Sequence, residues 1–131
     1  MLVGLGGNNG STMVAGILAN KKKMSYETKA GPVEASFFGS FTQCSTAHVG
    51  FKHNEKTNKL EDVYKPVSEL LPMVHPCDFV ISGWDISGKN LYEACKRARV
   101  LEPDLLNQLK DELSAITPLP ATLNGDYIAA N

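Results

Sequence analysis

An α/β domain with a mostly parallel sheet is predicted by three observations. The opening Leu2-Val3-Gly4-Leu5 reads as a short buried strand that runs at once into the glycine-rich turn Gly4-Leu5-Gly6-Gly7-Asn8-Asn9-Gly10. Behind that turn, Met13, Val14, Ile17 and Leu18 recur at helical spacing, which completes the strand-turn-helix order of a crossover unit. Much later, Phe79-Val80-Ile81-Ser82 is apolar without alternation, the pattern of a parallel strand covered on both faces.

Bulk properties narrow the function classes. At 131 residues the chain is one domain's worth and short for a two-domain enzyme, so a module is expected. Lys and Arg number 13 against 14 Asp and Glu, a net charge of -1; there is no basic field to draw in nucleic acid or an anionic membrane, and neither partner is expected. The cysteines Cys44, Cys77 and Cys95 are odd in number and widely spaced, which argues for a reducing, cytoplasmic setting over a disulfide framework. No apolar run approaches the roughly 20 residues that span a bilayer, and no signal peptide is visible. His48, His53 and His75 lack metal-type spacing, so no metal is expected. Met1 lies at the start of the first strand and the chain ends on the apolar Ile128-Ala129-Ala130-Asn131; both ends are expected to be cuts within a longer domain.

The opening turn has the physical logic of a phosphate site. Small residues let a pyrophosphate approach the backbone, and amides at the helix start hold its charge. Gly4 and Gly6 take the first two places of Gly-x-Gly-x-x-Gly, Asn9 takes the third and Gly10 follows. A plain tight turn needs the same glycines for positive φ, so the residues alone leave both readings open. Asn8 and Asn9 tolerate left-handed geometry and carry side-chain donors. Ser11 or Asn9 is expected to cap the helix, and Lys21-Lys22-Lys23 to form its solvated end, where positive charge suits the dipole. Glu27 is the acidic residue nearest the place, about 20 residues after the turn, where a ribose ligand would sit; its ambiguous surroundings, Met24 to Lys29, leave it unassigned.

Gly31-Pro32 is read as a breaker, and Phe37 to Thr46 as an extended excursion in which Cys44 is a buried small residue and not a nucleophile. Lys52 to Asp62 reads as a polar loop tip, with Val63-Tyr64 returning extended, and Ser68 to Val74 as a short helical turn broken by Pro72. The second strand then delivers Gly83-Trp84-Asp85-Ile86-Ser87. Ligands of open α/β sheets sit outside the carboxyl ends of the strands, where Asp85 could accept hydrogen bonds from a ribose or a nicotinamide; as a cap of the following turn it would look the same. Trp84 is read as packing. Asn90 and Glu93 make a capping-box-like start for a helix over Leu91 to Val100, with Leu91, Ala94, Cys95 and Ala98 inward. Pro103 opens one more helix, whose stripe of Leu105, Leu106, Leu109, Leu113 and Ile116 faces either the core or another subunit. Pro118 and Pro120 end it, and Tyr127-Ile128-Ala129-Ala130 starts a further buried strand.

Five blocks, in order and from the first residue to the last, resemble the eukaryotic myo-inositol-1-phosphate synthase family, also called inositol-3-phosphate synthase. They are Gly4 to Thr12, Phe38 to Thr46, Leu70 to Val74, Gly83-Trp84-Asp85-Ile86 and Asp126 to Asn131. The resemblance implies that residues 1–131 are the N-terminal part of an NAD-binding domain with a partial, modified Rossmann fold. In that family the glycine-asparagine turn wraps the NAD phosphates, which carries over to Gly6, Gly7, Asn8 and Asn9, and the aspartate after Gly-Trp carries over to Asp85. The resemblance further implies isomerisation of glucose 6-phosphate to inositol 3-phosphate, in inositol and phospholipid biosynthesis, by a cytoplasmic homotetramer that recycles its NAD. The family's aldol and phosphate-binding residues lie beyond Asn131, so no catalytic residue is assigned to this chain. A family serine that touches the cofactor is Ala121 here, which removes one hydrogen bond worth about 0.5 to 1.5 kcal/mol. Two alternatives stand beside this reading: a truncated product that binds nucleotide without catalysis, and one that only pairs with full-length subunits, for which Leu105, Leu109 and Leu113 are candidates.

Overall fold

A computed structural model describes residues 1–122 and 124; the strand expected at Tyr127-Ile128-Ala129-Ala130 lies outside the described residues. In chain order the elements are β1 (Leu2–Val3), α1 (Asn8–Lys21), β2 (Ser25–Thr28), β3 (Gly31–Glu34), α2 (Phe41–Cys44), β4 (Thr46–Asn54), β5 (Lys59–Pro66) and α3 (Val67–Leu70). After a 3₁₀ turn at Pro76–Asp78 come β6 (Gly83–Asp85), α4 (Leu91–Ala98), α5 (Pro103–Gln108), α6 (Lys110–Ala115) and β7 (Leu119–Pro120). They fall into two compact units, one of residues 1–35 and the described residues from Pro76 onward, the other Ser36–His75.

The first unit carries a three-stranded parallel sheet in the order β1-β6-β7. The second strand is displaced from its expected place: Gly83–Asp85 forms the ladder, while Val80 is 95% exposed. The apolar run itself is neither strand nor buried here: Phe79 is 47% exposed, and Ile81 and Ser82 are half-buried. Here the register is set by Gly83, because a Cβ at that position would collide with the Leu2 carbonyl across the strand pair. Strand β7 was not expected from the sequence, since prolines punctuate it; at a sheet edge proline is tolerated because its missing N–H is not needed there.

Helix α1 begins at Asn8 with Gly7 in the N-cap position, and no side chain caps it. Ser11, expected as a cap, is buried inside the helix and its Oγ donates to the Gly7 carbonyl at 2.8 Å. Val14, Ala15 and Ala19 pack with Leu5, Leu91, Cys95, Leu105, Leu109 and Leu113 into one core, while Met13 stays outside it at 43% exposure. At the solvated end of the helix, Lys22 pairs with Glu112. Met24 to Lys29, ambiguous in sequence, supplies β2, which pairs with β3 in a hairpin whose second strand starts at Gly31, the residue expected to break the chain. Asn90 caps α4 as expected, its Oδ1 accepting from the Glu93 N–H at 2.9 Å, and the helix ends at Ala98 because Arg99 turns left-handed at φ 54°. The helix expected after Pro103 is two, α5 and α6, joined at Leu109. Its stripe is a core face: Leu105, Leu109 and Leu113 are 5%, 0% and 0% exposed, so they are not available to a second subunit.

The second unit is built on the antiparallel hairpin β4-β5, which pairs from Thr46↔Pro66 out to Asn54↔Lys59 with an irregularity between His48 and Gly50. The expected loop tip is thus mostly strand. Its Lys, Asn and Glu side chains suit a hairpin solvated on both faces as well as they suit a loop. Val67 is buried, and Phe37 and His75, near the two ends of the unit, meet edge to face at 5.4 Å.

Cys44 is exposed, contrary to expectation; its short helix α2 buries nothing, and its Sγ donates to the Phe37 carbonyl at 2.9 Å. Cys95 is the buried one, with burial pushing its thiol above the ordinary 9.0 while a hydrogen bond with Ser11 pulls the other way. A short iodoacetamide pulse at neutral pH is therefore expected to alkylate Cys44 and leave Cys95 unmodified until the protein unfolds. Peptide mass spectrometry reads the result, and early labelling of Cys95 would contradict this burial.

Candidate functional site

The glycine turn is held by its own amides, one after another. The Gly4 and Leu5 N–H groups donate to the Trp84 carbonyl at 2.8 and 3.1 Å, the Gly6 N–H to Asp85 Oδ2 at 2.9 Å, and the Gly7 N–H back to the Gly4 carbonyl at 3.0 Å. The Ser11 N–H returns to the Gly7 carbonyl at 3.0 Å. Between these, the N–H groups of Asn8, Asn9 and Gly10 have no acceptor among the described residues. They are the first three amides of a 14-residue helix, where orphan donors and the positive end of the dipole coincide.

Those amides front an open cleft of about 650 Å³ lined by Val3, Gly4, Gly7, Asn8, Asn9 and Gly10 among others. The cleft needs Gly10. A Cβ there would stand 2.6 Å from the Leu5 carbonyl oxygen and 2.7 Å from that of Gly4, so only glycine lets the helix start lie against the turn. Gly10 thus fills the role of the third fingerprint glycine, close packing of helix on strand, one place later than the standard spacing.

Of the residues singled out in sequence, Gly7, Asn8 and Asn9 line the cleft. Gly6 and Asp85 lie behind it, buried and bonded to each other. Asp85 is 8% exposed, and its second oxygen, Oδ1, accepts from the Ser87 N–H at 2.8 Å. Both oxygens therefore hold backbone, one on the glycine turn and one on the loop after β6. A carboxylate offers about four lone-pair sites, so each oxygen keeps one. Ala121 lies beside this loop, its N–H donating to the Asp85 carbonyl at 3.0 Å. Glu27 is exposed on β2 and its N–H is taken by Asp104.

One residue that touches the turn is not singled out by the sequence. Arg97, on α4, donates from Nη2 to the Gly6 carbonyl at 3.0 Å. Its position beside the inward-facing Ala94 and Cys95 was readable, but nothing in the spacing says that a surface arginine reaches a turn 91 residues earlier.

The arrangement suits a diphosphate. Three consecutive unclaimed amides at a helix start, fronted by glycines that leave room for close approach, are what a pyrophosphate requires. Among the described residues no cluster of three or more His, Cys, Asp or Glu side chains gathers as a metal site, and no described helix is long and apolar enough to cross a membrane.

Comparison with known proteins agrees with this geometry. A family profile described as "Myo-inositol-1-phosphate synthase", which represents an NAD-binding domain, matches residues 1–131. Among curated relatives, the chain is 52% identical over 131 residues to an inositol-3-phosphate synthase of Saccharomyces cerevisiae and 50% identical to inositol-3-phosphate synthase isozyme 1 of Arabidopsis thaliana. Each alignment takes in 100% of this chain and 24% of the relative, so the chain spans about a quarter of their length. Among solved structures, the inositol-3-phosphate synthase of Caenorhabditis elegans superposes with a TM-score of 0.87 at 46% identity, over 98% of this chain and 24% of that one.

Proposed function

Since the chain belongs to the myo-inositol-1-phosphate synthase family, we propose that it forms the cofactor half of an active site that isomerises D-glucose 6-phosphate to 1D-myo-inositol 3-phosphate. When bound, NAD supplies a reversible hydride acceptor, so that oxidation, intramolecular aldol closure and reduction leave no net NADH. The observation that carries the reading is the run of amides at Asn8, Asn9 and Gly10 that have no acceptor among the described residues.

In this reading those amides hold the NAD pyrophosphate, with Gly6 and Gly7 shaping the turn and the Asn8 and Asn9 side chains as further donors. Asp85 fixes the turn through Gly6 and turns its remaining lone pairs toward a ribose or the nicotinamide. Residues 1–131 are then a partial NAD-binding domain, and the groups for aldol chemistry and subunit assembly belong to other parts of the enzyme. The family resemblance supports a homo-oligomer, of four subunits, and a place in phospholipid as well as inositol biosynthesis. Three cysteines that form no disulfide among the described residues support a cytoplasmic setting.

The test is a thermal melt of the full-length protein with and without NAD, run beside an assay of glucose 6-phosphate conversion. Saturating NAD at a hundred times its Kd is expected to stabilise the fold by about 2.7 kcal/mol, with inositol phosphate formed and no NADH accumulating. A melt indifferent to NAD would count against the cofactor site, and NADH building up in step with product would count against the isomerase.

A further inference from the structure

We propose that Arg97 is a positioning residue for the cofactor turn, latching the Gly6–Gly7 peptide in the orientation that lets the helix amides bind a diphosphate. This rests on the cofactor reading above, and it adds a residue that neither the fingerprint nor the family blocks single out.

The argument begins with the peptide itself. Two adjacent glycines give the Gly6–Gly7 unit no Cβ on either side, so its plane can rotate at little steric cost. Its carbonyl oxygen carries partial negative charge, and the cleft in front of it is lined by the helix start that is to hold an anion. Rotated toward that cleft, the oxygen would oppose the ligand that the neighbouring amides attract. In the structure it is held elsewhere: the oxygen accepts from Arg97 Nη2 at 3.0 Å, while the N–H of the same peptide, on Gly7, donates to the Gly4 carbonyl at 3.0 Å. The peptide before it is fixed as well, its Gly6 N–H lying on Asp85 at 2.9 Å.

The latch suits arginine. A guanidinium presents its donors in a rigid planar fork and gives a charge-assisted hydrogen bond in fixed geometry. Helix α4 supplies the rigid support: it is capped by Asn90, its Leu91 and Cys95 are 0% and 1% exposed in the core, and Arg97 stands on its last turn. The latch therefore ties the turn to the core through a side chain that needs no contact with the ligand.

The experiment compares full-length wild type, Arg97→Met and Arg97→Lys by calorimetric titration with NAD and by amide hydrogen exchange of the peptide spanning the turn. Arg97→Met is expected to bind NAD about tenfold more weakly, the size of one lost charge-assisted hydrogen bond. Exchange at Gly7 is expected to rise while the core amides of α4 keep their protection, and Arg97→Lys is expected to recover part of both effects. Unchanged NAD affinity in a folded Arg97→Met overturns the proposal, and so does exchange that rises evenly across the unit, which would mark ordinary destabilisation. Should Arg97→Met not fold, Arg97→Lys decides alone: a loss of NAD affinity with faster exchange confined to the turn supports the latch, and anything else overturns it. If wild type binds no NAD, the cofactor reading falls by itself, and the latch is then judged by the exchange of Gly7.

Discussion

Replacing Asp85 with alanine is expected to remove about 2–6 kcal/mol of stability, because two backbone N–H groups lose their acceptor and each such loss costs about 1–3 kcal/mol. The Gly6 N–H is buried, 2.9 Å from Oδ2, and the Ser87 N–H is partly buried, 2.8 Å from Oδ1. NAD affinity should fall with stability, since the freed Gly6 amide no longer fixes the turn and the carboxylate is gone from the strand end. Asp85→Asn separates the two contributions. Its amide has one acceptor oxygen, so it can serve one N–H while its NH2 group faces the other, and it should recover less than half of the lost stability. Urea titrations give the stability and calorimetric titration the affinity. An alanine variant that melts like wild type would show that the turn does not depend on this carboxylate.

Gly10→Ala is expected to be nearly as damaging, about 2 kcal/mol of stability by the usual cost of overpacking, with NAD binding weakened more than tenfold. The added methyl would meet the Leu5 and Gly4 carbonyl oxygens at 2.6 and 2.7 Å. Both contacts are backbone, so the helix start has to retreat, and with it the amides of Asn8, Asn9 and Gly10. Alanine's better helix propensity returns only about 1 kcal/mol. Gly16, in the same helix with nothing within 4 Å of its would-be Cβ, is the control: there alanine should stabilise by about 0.5–1 kcal/mol. Equal effects at the two positions would mean that helix propensity, and not the approach of the turn, governs Gly10.

The order strand, turn, helix at the opening was legible because chain reversal and helical packing leave direct marks on residue type, glycines and then apolar residues at helical spacing; the expected burial of the strand was not met, since Val3 is 88% exposed. Asn90 with Glu93 was legible as well, being a local contact between residues three apart. What the sequence withheld was long-range register. Phe79 to Ser82 is more apolar than Gly83-Trp84-Asp85, yet the latter pairs with β1, because the choice depends on how near Leu2 can come and that depends on the absence of one Cβ. Cys44 is exposed because burial of a small residue follows its element, and no residue of α2 is buried. Asp85 was found by its place at a strand end, but its double grip on Gly6 and Ser87 could not be seen without both partners in space. Arg97 was hidden altogether, since a side chain that serves a distant carbonyl looks in sequence like any charge on a helix.

The edge-to-face contact of Phe37 with His75 bears on how the chain finds its fold. The bond between Gly6 and Asp85 closes a loop of 79 residues, and the entropy lost in closing a loop grows as about (3/2)RT ln n. The hairpin unit from Ser36 to His75 lies within that loop, built from pairings between near neighbours in sequence, and its ends meet at those two rings. Once it has formed, the path the remaining chain must close is only about half as long, a saving of about 0.6 kcal/mol for each halving. Closing the Gly6–Asp85 contact is thus cheaper by about that amount once the hairpin unit has formed than before it.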